Sequence, residues 1–169
     1  MLALLNYFFD LCLLRARPQD IPASSVLLAL TLAANLVVGM LVMADAYGGA
    51  LRALFAGLVD NLLLLGLLWG LLYWKGRPAR LNQAATALFG SGTLLGLIFV
   101  PLSSLAGPGQ SGTAALAGLF SLLLLAWSQF VMGHILRHTL EVPLTRGLLL
   151  AVAFSILSVF LVRGLFPLA

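Results

Sequence analysis

At 169 residues, with 62% from the hydrophobic set and 8% charged, the chain excludes a water-soluble domain, which commits about a quarter of its residues to charge. At roughly 20 apolar residues per crossing, the length accommodates about five membrane spans on short connections and leaves no room for a folded extramembrane domain. Nine Lys and Arg against five Asp and Glu give a formal charge of +4, but these cations sit at the ends of apolar runs instead of forming a stripe, so they report topology and not a nucleic-acid partner.

Met1 to Leu14 is apolar apart from Asn6, Tyr7 and Asp10, and about 14 helical residues reach only some 21 Å, too short for a crossing. Asn6 and Asp10, with Arg17 beyond them, form a narrow polar stripe opposite Leu4, Leu5, Phe8, Leu11 and Leu14. Residues 1–18 therefore read as an amphipathic helix lying in the membrane interface. No basic residue precedes the apolar run and Arg15 and Arg17 follow it, which disfavours a cleaved export signal. The single Cys12 has no partner for an intrachain disulfide or a cysteine metal site, and packs as a small hydrophobe. Pro18 and Pro22 stop this segment, and Ser24 and Ser25 suit the cap of the next.

Residues 25–166 read as an all-α transmembrane bundle of five crossings: Ser25 to Ala44, Ala53 to Trp74, Gln83 to Ser103, Ala114 to Leu136 and Leu144 to Arg163. Turn residues punctuate them: Gly48 and Gly49, Gly76 and Pro78, then Gly107, Pro108, Gly109 and Gly112, and finally Pro143. Because Pro167 follows the last run so closely, a re-entrant final segment is the alternative to a full crossing. An N-terminus in the cytoplasm places Arg15, Arg17, Lys75, Arg77, Arg80, Arg137 and Arg146 inside, and Arg52 and Arg163 outside. That bias predicts an N-terminus inside and a C-terminus on the far side.

Small residues three apart mark candidate packing faces in lipid: Gly66 with Gly70, Gly92 with Gly96, and Ala29 with Ala33. Whether they join helices of one chain, or two copies in a homo-oligomer, spacing leaves open. Asn35, Asp60, Asn61 and Gln129 fall near the midplane of three different crossings. An ionised Asp60 facing lipid is expensive, so the reading preferred here is a hydrogen-bonded clasp of these four, with an ion pathway or a partner helix as alternatives.

The densest chemical signal runs from Gly133 to Pro143. His134, His138 and Glu141 stand at helical spacing on one expected face, as a metal half-site or an acid–base pair would require, but the zinc-hydrolase pattern needs Glu directly after the first His, where Ile135 stands. The reading preferred is an anchored helix end. With Arg15, Arg17, Lys75, Arg77, Arg80, Arg137 and Arg146, the stretch forms a basic inner surface whose cheapest partner is anionic phospholipid.

Arg15, Ala16, Arg17, Pro18, Gln19, Asp20, Ile21 and Pro22, taken with Trp127, the Gly133 to Pro143 stretch and the plan of a short helix before five crossings, resemble the Yip1-like integral membrane proteins and a group of small bacterial inner-membrane proteins. The resemblance implies a non-enzymatic membrane component. It supplies no transferable active site, and the short region before the first crossing gives no ground for carrying over the small GTPases bound by eukaryotic Yip1-like proteins.

No phosphate-binding glycine loop, nucleophile elbow or paired-carboxylate site is legible, and no cofactor is expected. The leading expectation is a structural or interaction component of the cytoplasmic membrane, contacting lipid, a membrane-protein partner or its own copies. A small transporter using Asp60 is the alternative. An intramembrane enzyme using His134, His138 and Glu141 comes third.

Overall fold

The computed structural model describes residues 2–105 and 111–168. Its helices are α1 (Leu2–Cys12), α2 (Ser25–Met43), α3 (Ala50–Trp74), α4 (Leu81–Leu105), α5 (Ser111–Leu140) and α6 (Leu144–Leu165). Helices α2 to α6 are each long and apolar enough to cross a membrane, so the chain is an all-α bundle of five candidate spans behind a short helix. Against the boundaries expected from sequence, α3 begins earlier, at Ala50, and α5 runs a further turn past Leu136. Gly107, Pro108 and Gly109, read as an exposed turn, lie outside the described residues.

Helix ends follow local chemistry. The Ser24 hydroxyl accepts the Leu27 N–H at 3.3 Å and starts α2. Four C-termini close on one pattern, in which a residue with positive φ turns the chain and the next N–H reaches back five residues. Gly48 (φ 70) and Gly76 (φ 69) do this without steric cost, whereas Leu14 (φ 61) and Glu141 (φ 52) carry a Cβ into the left-handed region. The closing bonds are Arg15 N–H to the Asp10 carbonyl at 2.8 Å and Val142 N–H to the Arg137 carbonyl at 3.0 Å. Leu14 is held there by packing against the main core.

Helix α4 is the central element. Residues 84–91 are buried without a break, which a helix achieves only when neighbours cover it on all sides. Ala84, Ala85, Thr86, Ala87, Gly90 and Ser91 keep that stretch thin, so α1, α2 and α5 all pack against it. Helix α3 meets α2, and α6 joins α3 to α5, closing a ring.

Glycines set the closest approaches. A Cβ added to Gly92 would lie 2.9 Å from Asn35 Nδ2, and one on Gly96 2.7 Å from Val38 Cγ1, both across the α2–α4 seam. Between α5 and α6, a Cβ on Gly147 would stand 2.4 Å from the Gly133 carbonyl oxygen. Gly66 and Gly70 meet nothing within 4 Å; of the spaced pairs, Gly92 with Gly96 packs within the chain and Gly66 with Gly70 faces outward.

Helix α1 is inserted against α4 and α5. Phe8, Leu11 and Cys12 share one core with Leu68, Leu72 and Ile135, while Leu5 and Phe9 stay exposed beside Asn6 and Asp10. The irregular link after α1 is secured through its own carbonyls. Trp127 Nε1–H donates to Cys12 O at 3.0 Å, His134 Nε2 lies 3.0 Å from Ala16 O, and Gln83 Nε2 donates to Gln19 O at 3.1 Å and Ile21 O at 2.8 Å. Side chains of α4 and α5 thereby satisfy backbone that lipid cannot. Burial pushes the Cys12 thiol up to about 11, so it stays protonated at neutral pH.

Candidate functional site

The candidate site lies at the end of the bundle where the α1–α2 link, the α3–α4 link and the end of α5 converge. The link between α3 and α4 presents Arg77 and Arg80. The left-handed turn at Glu141 ends α5 one residue short of the expected face. Glu141 Oε1 instead takes Arg77 Nη1 at 2.5 Å and Arg80 Nη2 at 2.9 Å, and Arg80 also donates to Thr139 O at 3.3 Å. Arg137 precedes Glu141 by four residues, but the carboxylate pairs with Arg77 and Arg80.

The hydrogen bonds from Arg77 and Arg80 hold the Glu141 carboxyl below its ordinary value of 4.5. A depressed carboxylate contributes stability that is complete above its unfolded pKa and is lost as pH falls through its folded value. Wild-type thermal stability should therefore decline more steeply than that of Glu141→Gln on acidification below pH 4.5. Parallel acid limbs for the two proteins would remove this role from Glu141.

His134 is buried, and because a carbonyl only accepts, its bond to Ala16 requires a proton on Nε2. Its ring meets that of His138 edge-on at 4.6 Å. Gln19 Nε2 donates to His138 O at 2.6 Å. Tyr7 donates its hydroxyl to Arg17 O; burial, and then the Asp20 charge, push this phenol well above its usual 10 and keep it a donor. Among the described residues, no three His, Cys, Asp or Glu side chains gather as a metal-ligand set.

Arg17, Gln19, Asp20, Arg80, Arg137 and His138 line a cavity of about 490 Å³ that Glu141 and Val142 complete. With Glu141 engaged by two guanidiniums, Asp20 is the remaining carboxylate among its lining residues, which also include Arg17 and Arg137. Such a space suits a compact anion with several acceptor oxygens, such as a phosphate monoester or diester. Exposed Arg15, Lys75 and Arg146 stand near this end in sequence and fold, with Lys75 Nζ 5.9 Å from the Trp74 ring centre. Gln19, Gln83 and Trp127, which organise the site's backbone, carried no short-range signal, because each serves a segment at least 62 residues away.

Three of the four midplane residues take hydrogen-bond partners outside the set. Asn35 Nδ2 donates to Phe89 O at 3.4 Å, Ser158 donates to Asp60 Oδ1, and Ser155 donates to Gln129 Oε1 at 3.1 Å. Asn61 is buried. Among the described residues, no hydrogen bond joins one of these four to another. Asn35, Asp60 and Asn61 nevertheless border one cavity of about 550 Å³, and Gln129 lies on the seam between α5 and α6.

No family model matches the chain, and neither the curated proteins nor the solved structures include a match.

Proposed function

We propose that the chain is a non-enzymatic structural or interaction component of a bacterial cytoplasmic membrane, with its N-terminus in the cytosol and its C-terminus outside, and that its basic end holds phosphates of anionic phospholipids. The observation carrying this reading is the cavity bordered by Arg17, Arg80 and Arg137. An odd number of candidate spans supports chain ends on opposite sides, and the positive-inside bias supports a cytosolic basic end. Each basic side chain near an anionic leaflet contributes about 1 kcal/mol. The Yip1-like plan fits membrane organisation better than chemistry. The outward face of α3, with Gly66, Gly70 and the Trp69–Tyr73 stack at 5.5 Å, is the surface on which another membrane protein or a second copy would pack.

The test is lipid retention. Purified chain in neutral detergent is titrated with short-chain phosphatidylglycerol or phosphatidylcholine, and bound lipid is counted by native mass spectrometry. Phosphatidylglycerol should be retained preferentially, and the Arg17→Gln/Arg137→Gln variant should lose that retention by about tenfold. Equal retention of the choline lipid, or no effect of the double substitution, would overturn the proposal.

A further inference from the structure

The cavity at Asp60 is separate from the basic end and has a different character. It runs from Asn35, Asp60, Asn61 and Ser158 toward the end of the bundle marked by Tyr47, Arg163 and Leu168, bordered by residues of α2 through α6. Val38, Val42, Leu95, Phe99 and Val162 make much of its wall. A volume of about 550 Å³ falls within the ordinary range for small-molecule sites, which combine apolar walls with a few convergent polar groups.

Asp60 accepts one hydroxyl, from Ser158, whereas a carboxylate offers about four acceptor positions. Among the described residues, the ion pairs found involve Glu141 and not Asp60. Arg163, the cation on the cavity's border, is exposed and lies about 7.5 Å along α6 from Ser158, by the helical rise over five residues. Water at that end screens it. The acid is thus placed without a close counter-charge of its own, an arrangement that within a membrane marks a ligand or ion site.

The walls choose between kinds of cation. A hard metal ion takes six or more oxygens; Asn35, Asp60, Asn61 and Ser158 offer oxygens at one end only, and most of the remaining wall is hydrocarbon. A cation carrying its own apolar bulk satisfies both parts, with its charge at Asp60 and its body along the valine, leucine and phenylalanine walls.

We propose that this cavity binds a hydrophobic organic cation, a protonated amine or quaternary onium ion, with Asp60 as counter-charge and Ser158 as a positioning residue. The site stands apart from the phospholipid reading, because no described residue borders both cavities.

Tetraphenylphosphonium serves as probe, measured by equilibrium dialysis on the full chain in phosphatidylcholine nanodiscs. Saturable binding of one cation per chain is expected, and Asp60→Asn should weaken it about tenfold or more, the loss of about 1.4 kcal/mol. Gly39 borders the cavity, and a Cβ there meets nothing within 4 Å. Gly39→Leu should therefore fill the space and abolish binding while the thermal transition is kept. Arg17→Gln/Arg137→Gln should bind as wild type. Uptake no greater than in empty nanodiscs, full binding by Gly39→Leu, or full binding by a folded Asp60→Asn would each overturn the proposal. Equal competition by neutral triphenylphosphine oxide would also overturn it, since shape alone would then explain binding.

Discussion

Replacing Gly147 by leucine should cost on the order of 3 kcal/mol or more, the upper range for overpacking a tight contact. The new Cβ would lie 2.4 Å from the Gly133 carbonyl oxygen and 3.2 Å from both Arg137 N and Arg137 Cβ. Two of those atoms are backbone, so no rotamer change relieves the clash, and α6 must move off α5. In lipid the seam has no hydrophobic driving force to offset lost packing. Gly70→Leu is the matched control. Its Cβ meets nothing within 4 Å, and leucine favours a helix over glycine by about 1 kcal/mol. Unfolding in mixed micelles should therefore separate the variants, with Gly147→Leu strongly destabilised and Gly70→Leu at or above wild type. Equal stabilities would show that the α5–α6 seam does not hold the bundle.

The second large effect is expected at Gly90, and Cys12 reports it. A Cβ at Gly90 would stand 2.2 Å from Phe8 Cε1, and that ring is itself in the core, so Gly90→Leu should lift α1 away from α4. Wild-type Cys12 is buried, with its thiol raised to about 11 and Sγ 3.8 Å from Ser91 O. It should react very slowly with maleimide at neutral pH. Displacing α1 exposes the thiol, and a loss of about 1.4 kcal/mol in docking raises the open population about tenfold. Labelling should accelerate by at least that factor in Gly90→Leu while helix content is unchanged. Unaltered labelling would mean that Phe8 does not seat α1.

The spans were legible because their signal is local. Uninterrupted apolar runs, the Ser24 cap and the glycines at 48, 49 and 76 define most of α2 to α4 without reference to tertiary contacts. The packing was not legible, for a physical reason. Gly66/Gly70 and Gly92/Gly96 have the same spacing and similar apolar surroundings, yet the second pair meets α2 and the first faces outward. The Gly133–Gly147 approach joins two helices, and no periodicity within either announces it. At the basic end, Glu141 pairs with Arg77 and Arg80 and borders one cavity with Arg17, Arg137 and His138, a grouping set by the turn at Glu141, and helical spacing cannot foresee where a helix stops. His134 read as a candidate ligand; in the fold its ring, like the Trp127 indole, is committed to a backbone carbonyl. Asp60 was recognisable as costly, whereas Ser158, 98 residues later, carried no mark as its partner.

The link secured through its carbonyls also constrains biosynthesis. Cys12, Ala16, Gln19 and Ile21 leave the ribosome well before the side chains that satisfy them, which belong to Gln83, Trp127 and His134. Until α4 and α5 have been inserted, those carbonyls depend on water at the bilayer surface. The N-terminal segment is therefore translated early and seated only after α5 has followed, so its docking does not nucleate the bundle.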